Sequence, residues 1–162
     1  MEYRIATVDE VSKQFDWLID THDKDKDNWI YWKKENINEV NNGYVIPYYG
    51  FIDDICICEA YAVIHKNIEP LFVDKEMCYL KAFRTRPEYR NQGYFSGLFK
   101  FMIQDLKNRG YKYATVGVDS NDELNKIRYT MRMGFNQYLQ TIPDTYPDGN
   151  VYEVEYYLKL LF

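Results

Sequence analysis

The run Met77-Cys78-Tyr79-Leu80-Lys81-Ala82-Phe83-Arg84-Thr85, then Arg86-Pro87-Glu88-Tyr89-Arg90-Asn91-Gln92-Gly93, then Tyr94-Phe95-Ser96-Gly97-Leu98-Phe99, decides how the chain folds. Its first part has the aromatic and apolar content of a strand. Proline, asparagine and glycine mark the second part as a turn. Beyond it Phe95, Leu98, Phe99, Met102, Ile103 and Leu106 share one stripe at helical spacing, and Gly110 stops the helix. A strand, a tight turn and a helix N-terminus bring unpaired backbone N–H groups and the positive end of a helix dipole to one point. Such a point binds phosphate. Gly93 removes the Cβ that would hold an anion off the backbone, and Arg90 adds charge from the turn.

Upstream, a strand is expected over 3–6, followed by a helix capped by the box Thr7 and Glu10, with Val8, Val11, Phe15, Leu18 and Ile19 at helical spacing. A second helix carries Trp29, Trp32, Ile37 and Val40 and stops at Asn41-Asn42-Gly43. The period then changes to two: strands 44–46 and 55–64 form an antiparallel hairpin around a turn at Asp53-Asp54, and a loop with Pro70 leads into strand 77–85. Downstream come a strand over 113–118, a helix opened by a capping box of Ser120 and Glu123 and closed by Gly134, and strands 135–142 and 151–161 around Tyr146-Pro147-Asp148-Gly149. The order is β, two α, three β, α, β, α, two β. Without repeat, linker or low-complexity stretch, the 162 residues read as a single domain, 1–162.

Composition narrows the class. Apolar residues at 46% and aromatics at 18% supply a core and exclude a disordered chain. The net charge of -5 is uneven: residues 1–70 hold 14 acidic and 7 basic side chains, residues 71–162 hold 11 and 13. A nucleic acid needs a concentrated basic face, which the first half cannot supply, whereas a small anionic cofactor suits the second half. No apolar run approaches the roughly 20 residues of a membrane span, and the start MEYRIATVDE lacks a secretory pattern. With three cysteines, Cys56, Cys58 and Cys78, the expectation is reduced thiols in the cytoplasm. Cys56 and Cys58 alternate along one strand and are expected on one face. No second pair completes the four ligands of a structural zinc. Asp23, Asp25 and Asp27 imitate a calcium loop, but Asn28 stands where glycine is needed and Lys34 where glutamate belongs, so no metal is expected. Neither G-x-G-x-x-G nor G-x-x-x-x-G-K-[ST] occurs, which argues against NAD and ATP.

The segment Pro87-Glu88-Tyr89-Arg90-Asn91-Gln92-Gly93 resembles the pyrophosphate-binding motif of GNAT acetyltransferases, and Asn125-Lys126-Ile127-Arg128-Tyr129 followed by Gly134-Phe135 resembles a second region of that family. The element order is similar throughout. The resemblance implies an α/β GNAT (acyl-CoA N-acyltransferase) fold: a mixed, mostly antiparallel sheet flanked by helices, with splayed central strands. It further implies acetyl-CoA as cosubstrate. Phe83, Arg84 and Thr85 would offer backbone groups to pantetheine; Arg90, Asn91, Gln92, Gly93, Tyr94, Phe95 and Ser96 would hold the pyrophosphate; Asn125 would reach the cofactor; Tyr129 would stand near the thioester sulfur. The chain departs from the family pattern twice. Phe95 occupies a small-residue position, and Thr130 holds the place of the family tyrosine, with Tyr129 one residue earlier; a local bulge would restore the register.

An amine attacks a thioester only when neutral, and an alkylammonium has a pKa of roughly 10, so a carboxylate should take its proton. Glu59 on a central strand and Glu76 before the next are the candidates, Glu59 the first choice. A phenol can donate to the departing thiolate, which suits Tyr129. The expected activity is transfer of acetyl to a primary amine, on a small cationic molecule or a protein, by direct attack in a ternary complex. The alternative is a non-catalytic CoA or acyl-CoA sensor on the same fold. No nucleic acid or membrane partner is expected; a homodimer is possible through the last strand.

Overall fold

Thr7 starts the first helix as its sequence predicts: its hydroxyl accepts from the Glu10 N–H at 3.3 Å, and the Glu10 carboxylate accepts from the Thr7 N–H at 2.8 Å. In the computed structural model, which describes residues 1–65 and 73–162, this cap joins strand β1 (Glu2–Ile5) to helix α1 (Val8–Thr21). Pro70 lies outside the described residues. A 3₁₀ turn, Asp23–Asp25, leads into α2 (Lys26–Asn41), so the aspartates that imitate a calcium loop belong to a helix entry.

Strands β2 (Val45–Ile52), β3 (Ile55–Val63), β4 (Met77–Thr85), β5 (Tyr113–Asp119), β6 (Gln137–Thr145) and β7 (Val151–Leu160) join β1 in one sheet, in the order β1-β2-β3-β4-β5-β7-β6. Every neighbouring pair is antiparallel except β4 with β5. The last strand pairs within the sheet, between β5 and β6.

Two apolar clusters separate the faces. Val11, Phe15 and Leu18 of α1 and Trp29 of α2 pack with Tyr49, Tyr61 and Val63. Leu98, Met102 and Leu106 of α3 (Tyr94–Asn108), all fully buried, pack with Tyr48, Ile57, Leu80 and Val116. Cys56 falls in the first cluster and Cys58 in the second, contrary to the expectation of a shared face. The cause is a bulge: Phe51 pairs with Cys56 and Gly50 with Cys58, which leaves Ile57 as an extra residue and breaks the period of two.

The second half departs from expectation in detail. Asp122, not Ser120, caps α4 (Glu123–Ile127), accepting from the Asn125 N–H at 3.1 Å. A π-turn, Arg128–Arg132, follows. Phe135 is fully buried and precedes β6 rather than opening it.

Candidate functional site

The parallel pairing of β4 and β5 lasts four residues, from Met77 with Tyr113 to Leu80 with Val116. Beyond it β4 stays with β3, and Gly117 to Asp119 of β5 stay with β7. The divergence begins at a bulge in β4: Tyr61 pairs with Lys81 and Glu59 with Arg84, and Ala82 takes a left-handed φ of 59°. An extra residue bends the bulged strand and raises its twist. The sheet therefore opens between Phe83 on one side and Val118 on the other.

This opening leads to the N-terminus of α3. Gly97 N–H makes the first helical bond, to Gly93 O at 3.1 Å, so Tyr94, Phe95 and Ser96 have N–H groups with no helical acceptor. No side chain caps the helix at Gly93. Asn91 (φ 61°) and Gly93 (φ 84°) are both left-handed, a path that gathers successive N–H groups around an anion. A Cβ on Gly93 would meet nothing within 4 Å, so glycine serves the backbone angle there. Arg90 is exposed, tied only through Nε to Thr85 O at 3.1 Å, and Gln92 donates to Glu88 O at 3.1 Å. These residues fit a pyrophosphate.

Phe95 turns inward: its ring lies 5.2 Å from that of Phe83, which also meets Phe99 at 6.2 Å and Tyr129 edge-on at 5.5 Å. The π-turn explains how Tyr129 gets there. Met133 N–H bonds to Arg128 O at 3.1 Å, five residues back, which inserts one residue into the helix. Thr130 turns its hydroxyl back to Lys126 O at 2.8 Å, so Tyr129 is the side chain that reaches β4. Burial pushes the Tyr129 phenol above its ordinary value. The Asn125 amide is occupied locally, donating to Asp122 at 2.8 Å and accepting from Arg128 at 3.0 Å.

On the other face, Glu59 is fully buried. One carboxylate oxygen accepts from Arg84 Nε; the other, Oε2, is buried without a partner. The Arg84 guanidinium lies 4.9 Å over Trp29. Glu76 lies roughly 30 Å from Thr85, at the far end of a nine-residue strand, and pairs with Lys112. That separation removes it as a base. Between α1 and the end of β4 lies a cavity of about 360 Å³, lined by Gln14, Trp17, Arg84, Arg86 and Arg90 among others. The acidic residues Asp23, Asp25, Asp27 and Asp148 gather at a separate hollow, where Asn28 donates to Asp148 at 3.1 Å. All three thiols are buried, which pushes Cys58 and Cys78 up to about 12 and Cys56 higher still.

Residues 5–135 match the model of the acetyltransferase (GNAT) family. The chain belongs to the GNAT acetyltransferase family. Its fold is shared with solved GNAT structures of low sequence identity. One modifies the N-terminal serine of ribosomal protein L7/L12 in Salmonella typhimurium (13% identity, TM-score 0.70, covering 98% of this chain and 93% of that one). Another is the ribosomal-protein-alanine N-acetyltransferase of Brucella melitensis (14%, 0.68, 99% of each chain). A third is an aminoglycoside 6'-N-acetyltransferase complexed with coenzyme A (12%, 0.65, 100% and 98%). A sequence search of curated proteins gave no match.

Within this GNAT scaffold, Gln14, Trp17 and Arg86 line the cavity and are candidate site residues that the sequence did not single out. The available signal was geometric: Gln14, Trp17, Leu18 and Thr21 recur along one side of α1, and Arg86-Pro87 follows the strand whose end that side overlooks. Among the described residues no cluster of ligand-type side chains could hold a metal, and no helix is long and apolar enough to cross a membrane.

Proposed function

We propose that this GNAT protein transfers an acetyl group from acetyl-CoA to a primary amine by direct attack in a ternary complex. The observation that carries the reading is the opening between β4 and β5, which runs from an uncapped helix N-terminus to a half-buried phenol. Acetyl-CoA would supply the thioester. The α3 N-terminus, with Arg90, Asn91, Gln92 and Gly93, holds the pyrophosphate through backbone N–H groups and one guanidinium. Backbone groups of Phe83, Arg84 and Thr85, parted from β5, are available to pantetheine amides and to the oxyanion. Tyr129 carries a proton at Oη, kept there by burial, for the sulfur that leaves. Glu59 Oε2, which has no donor of its own, accepts the proton of the amine through an intervening water. Neighbouring structures that act on ribosomal-protein and aminoglycoside amines support an amine acceptor.

A thermal-shift titration tests this. Acetyl-CoA at a hundred times its dissociation constant adds about 2.7 kcal/mol, which moves the Tm of a domain this size by about 5–10 °C. Gly93→Val, strained at φ 84°, and Arg90→Ala should both weaken the response. No rise at millimolar acetyl-CoA overturns the reading. A rise without thiol release on any amine supports the non-catalytic sensor instead.

A further inference from the structure

The cavity beside β4 is walled by the buried Gln14 and the apolar faces of Trp17, Leu18 and Ile57, and its charge comes from Arg84, Arg86 and Arg90 against the exposed Glu88. Two of these guanidiniums are held in place on aromatic rings. Arg86 lies 4.0 Å over Trp17 with Nη2 directed at Gln14 Oε1 at 3.5 Å, and Arg84 lies over Trp29 with Nε bonded to Glu59. Arg86 Nε is buried and has no acceptor. The Glu59 bond uses only Nε of Arg84 and leaves the terminal nitrogens of that fork for another partner. A buried donor without an acceptor marks a place where a ligand atom or water is missing. Two planar forks at one small cavity match a planar, bidentate anion.

We infer that the acceptor amine carries a carboxylate, which binds between Arg84 and Arg86, with an apolar group against Trp17, Leu18 and Ile57. The inference rests on the acetyl-transfer reading for the amine and on the cavity alone for the carboxylate. It points to small amino-acid-like acceptors and away from polycations, which the Arg86 guanidinium repels, Arg84 being paired with Glu59 and Arg90 being assigned to the pyrophosphate. The volume lies at the lower end of the range for small-molecule sites, roughly 300–1,000 Å³, so a single amino acid fits better than a folded surface.

The experiment compares acids with their amides. Thiol release from acetyl-CoA is measured with leucine, methionine and phenylalanine, with the three corresponding amides, and with spermidine, for wild type and Arg86→Gln. In parallel, the melting temperature is followed with N-acetyl-leucine and N-acetyl-leucinamide, which need no turnover. The expected result is an acid preference of about 100-fold in kcat/KM, falling below about 5-fold in Arg86→Gln, with the dissociation constant of acetyl-CoA unchanged and the ligand-free melting temperature lowered by no more than a few degrees for the lost contact with Trp17. Equal turnover of acids and amides, or a preference that survives Arg86→Gln, overturns the inference while leaving acetyl transfer intact. If Arg86→Gln weakens acetyl-CoA instead, the guanidinium serves a cofactor phosphate and the inference falls. If no amine turns over, acetyl transfer fails; a saturable melting shift with N-acetyl-leucine alone, lost in Arg86→Gln, still upholds the carboxylate site, and its absence overturns it.

Discussion

At the scale of one residue, Tyr129 is the proposed proton donor. Its phenol lies edge-on to Phe83, beside the opening, and burial keeps it protonated across the neutral range. Tyr129→Phe should therefore lower kcat about 100-fold and leave the KM for acetyl-CoA unchanged. Because the phenol is raised above 10, its own titration places no alkaline limb on the rate below about pH 10. A limb near pH 8 that disappears in Tyr129→Phe would contradict this. Glu59 differs in kind: it is the counterion of Arg84 as well as the proposed base, so its removal should disturb both stability and turnover. The likeness to a family motif points to Tyr129, but its contact with Phe83 could not be read from residue spacing. Arg86 had no such motif, and only the cavity reveals it.

At the scale of elements, the readable parts were those with strong local chemistry. The Thr7–Glu10 box and the apolar stripe of α3 obey rules that act within one turn of helix, and both form as the sequence predicts. The bulges at Gly50/Phe51 and Glu59/Tyr61 and the π-turn at Arg128–Arg132 depend on partners distant in the chain. No spacing rule announces them, which is why Cys56 and Cys58 lie on opposite faces although their spacing predicts a shared one. Asp122 displaced Ser120 as a cap because the Ser120 N–H bonds to Glu153 O at 2.9 Å, which holds Ser120 beside β7 and starts the helix two residues later. Gly97 is another case of distant control. Its Cβ would stand 2.1 Å from Tyr3 Oη, whose hydroxyl donates to Tyr94 O at 3.0 Å. Gly97→Ala should cost about 1–3 kcal/mol, lowering the Tm by several degrees. In a Tyr3→Ala background the same substitution should become neutral or stabilising, since alanine is the better helix former. Additivity in that double-mutant cycle would show that the ring does not enforce the glycine.

For the whole molecule, the acid side of the stability profile has a named contributor. Both oxygens of Glu10 meet Arg4, at 2.6 and 2.7 Å, and one also caps α1, so β1, α1 and the Arg4 contact with Phe51 of β2 are tied together. The hydrogen bond from Arg4, followed by that from the Thr7 backbone, lowers the Glu10 carboxyl from 4.5 to about 2. A depressed folded-state value stabilises above pH 4.5, and the gain fades as pH falls toward 2. Glu10→Gln should lower the Tm by about 2–4 °C at pH 7, and the two melting curves should converge near pH 2. A gap that persists at pH 2 would assign the effect to shape instead of charge. The order of elements along the chain was legible because each segment carries its own period and turn signals. The parting of β4 from β5 was not legible from those signals, since both strands read as ordinary strands there and only the family resemblance anticipated it. That parting has another side. An open sheet has two rims, yet here a further pair of rims faces inward, each with main-chain groups that its neighbour does not meet. A rim of this kind is a template for any extended polymer, including a stray segment of unfolded protein. The opening proposed to admit acetyl-CoA is thus also a vacancy for a misplaced strand, and confining it to a few residues on each side limits that hazard.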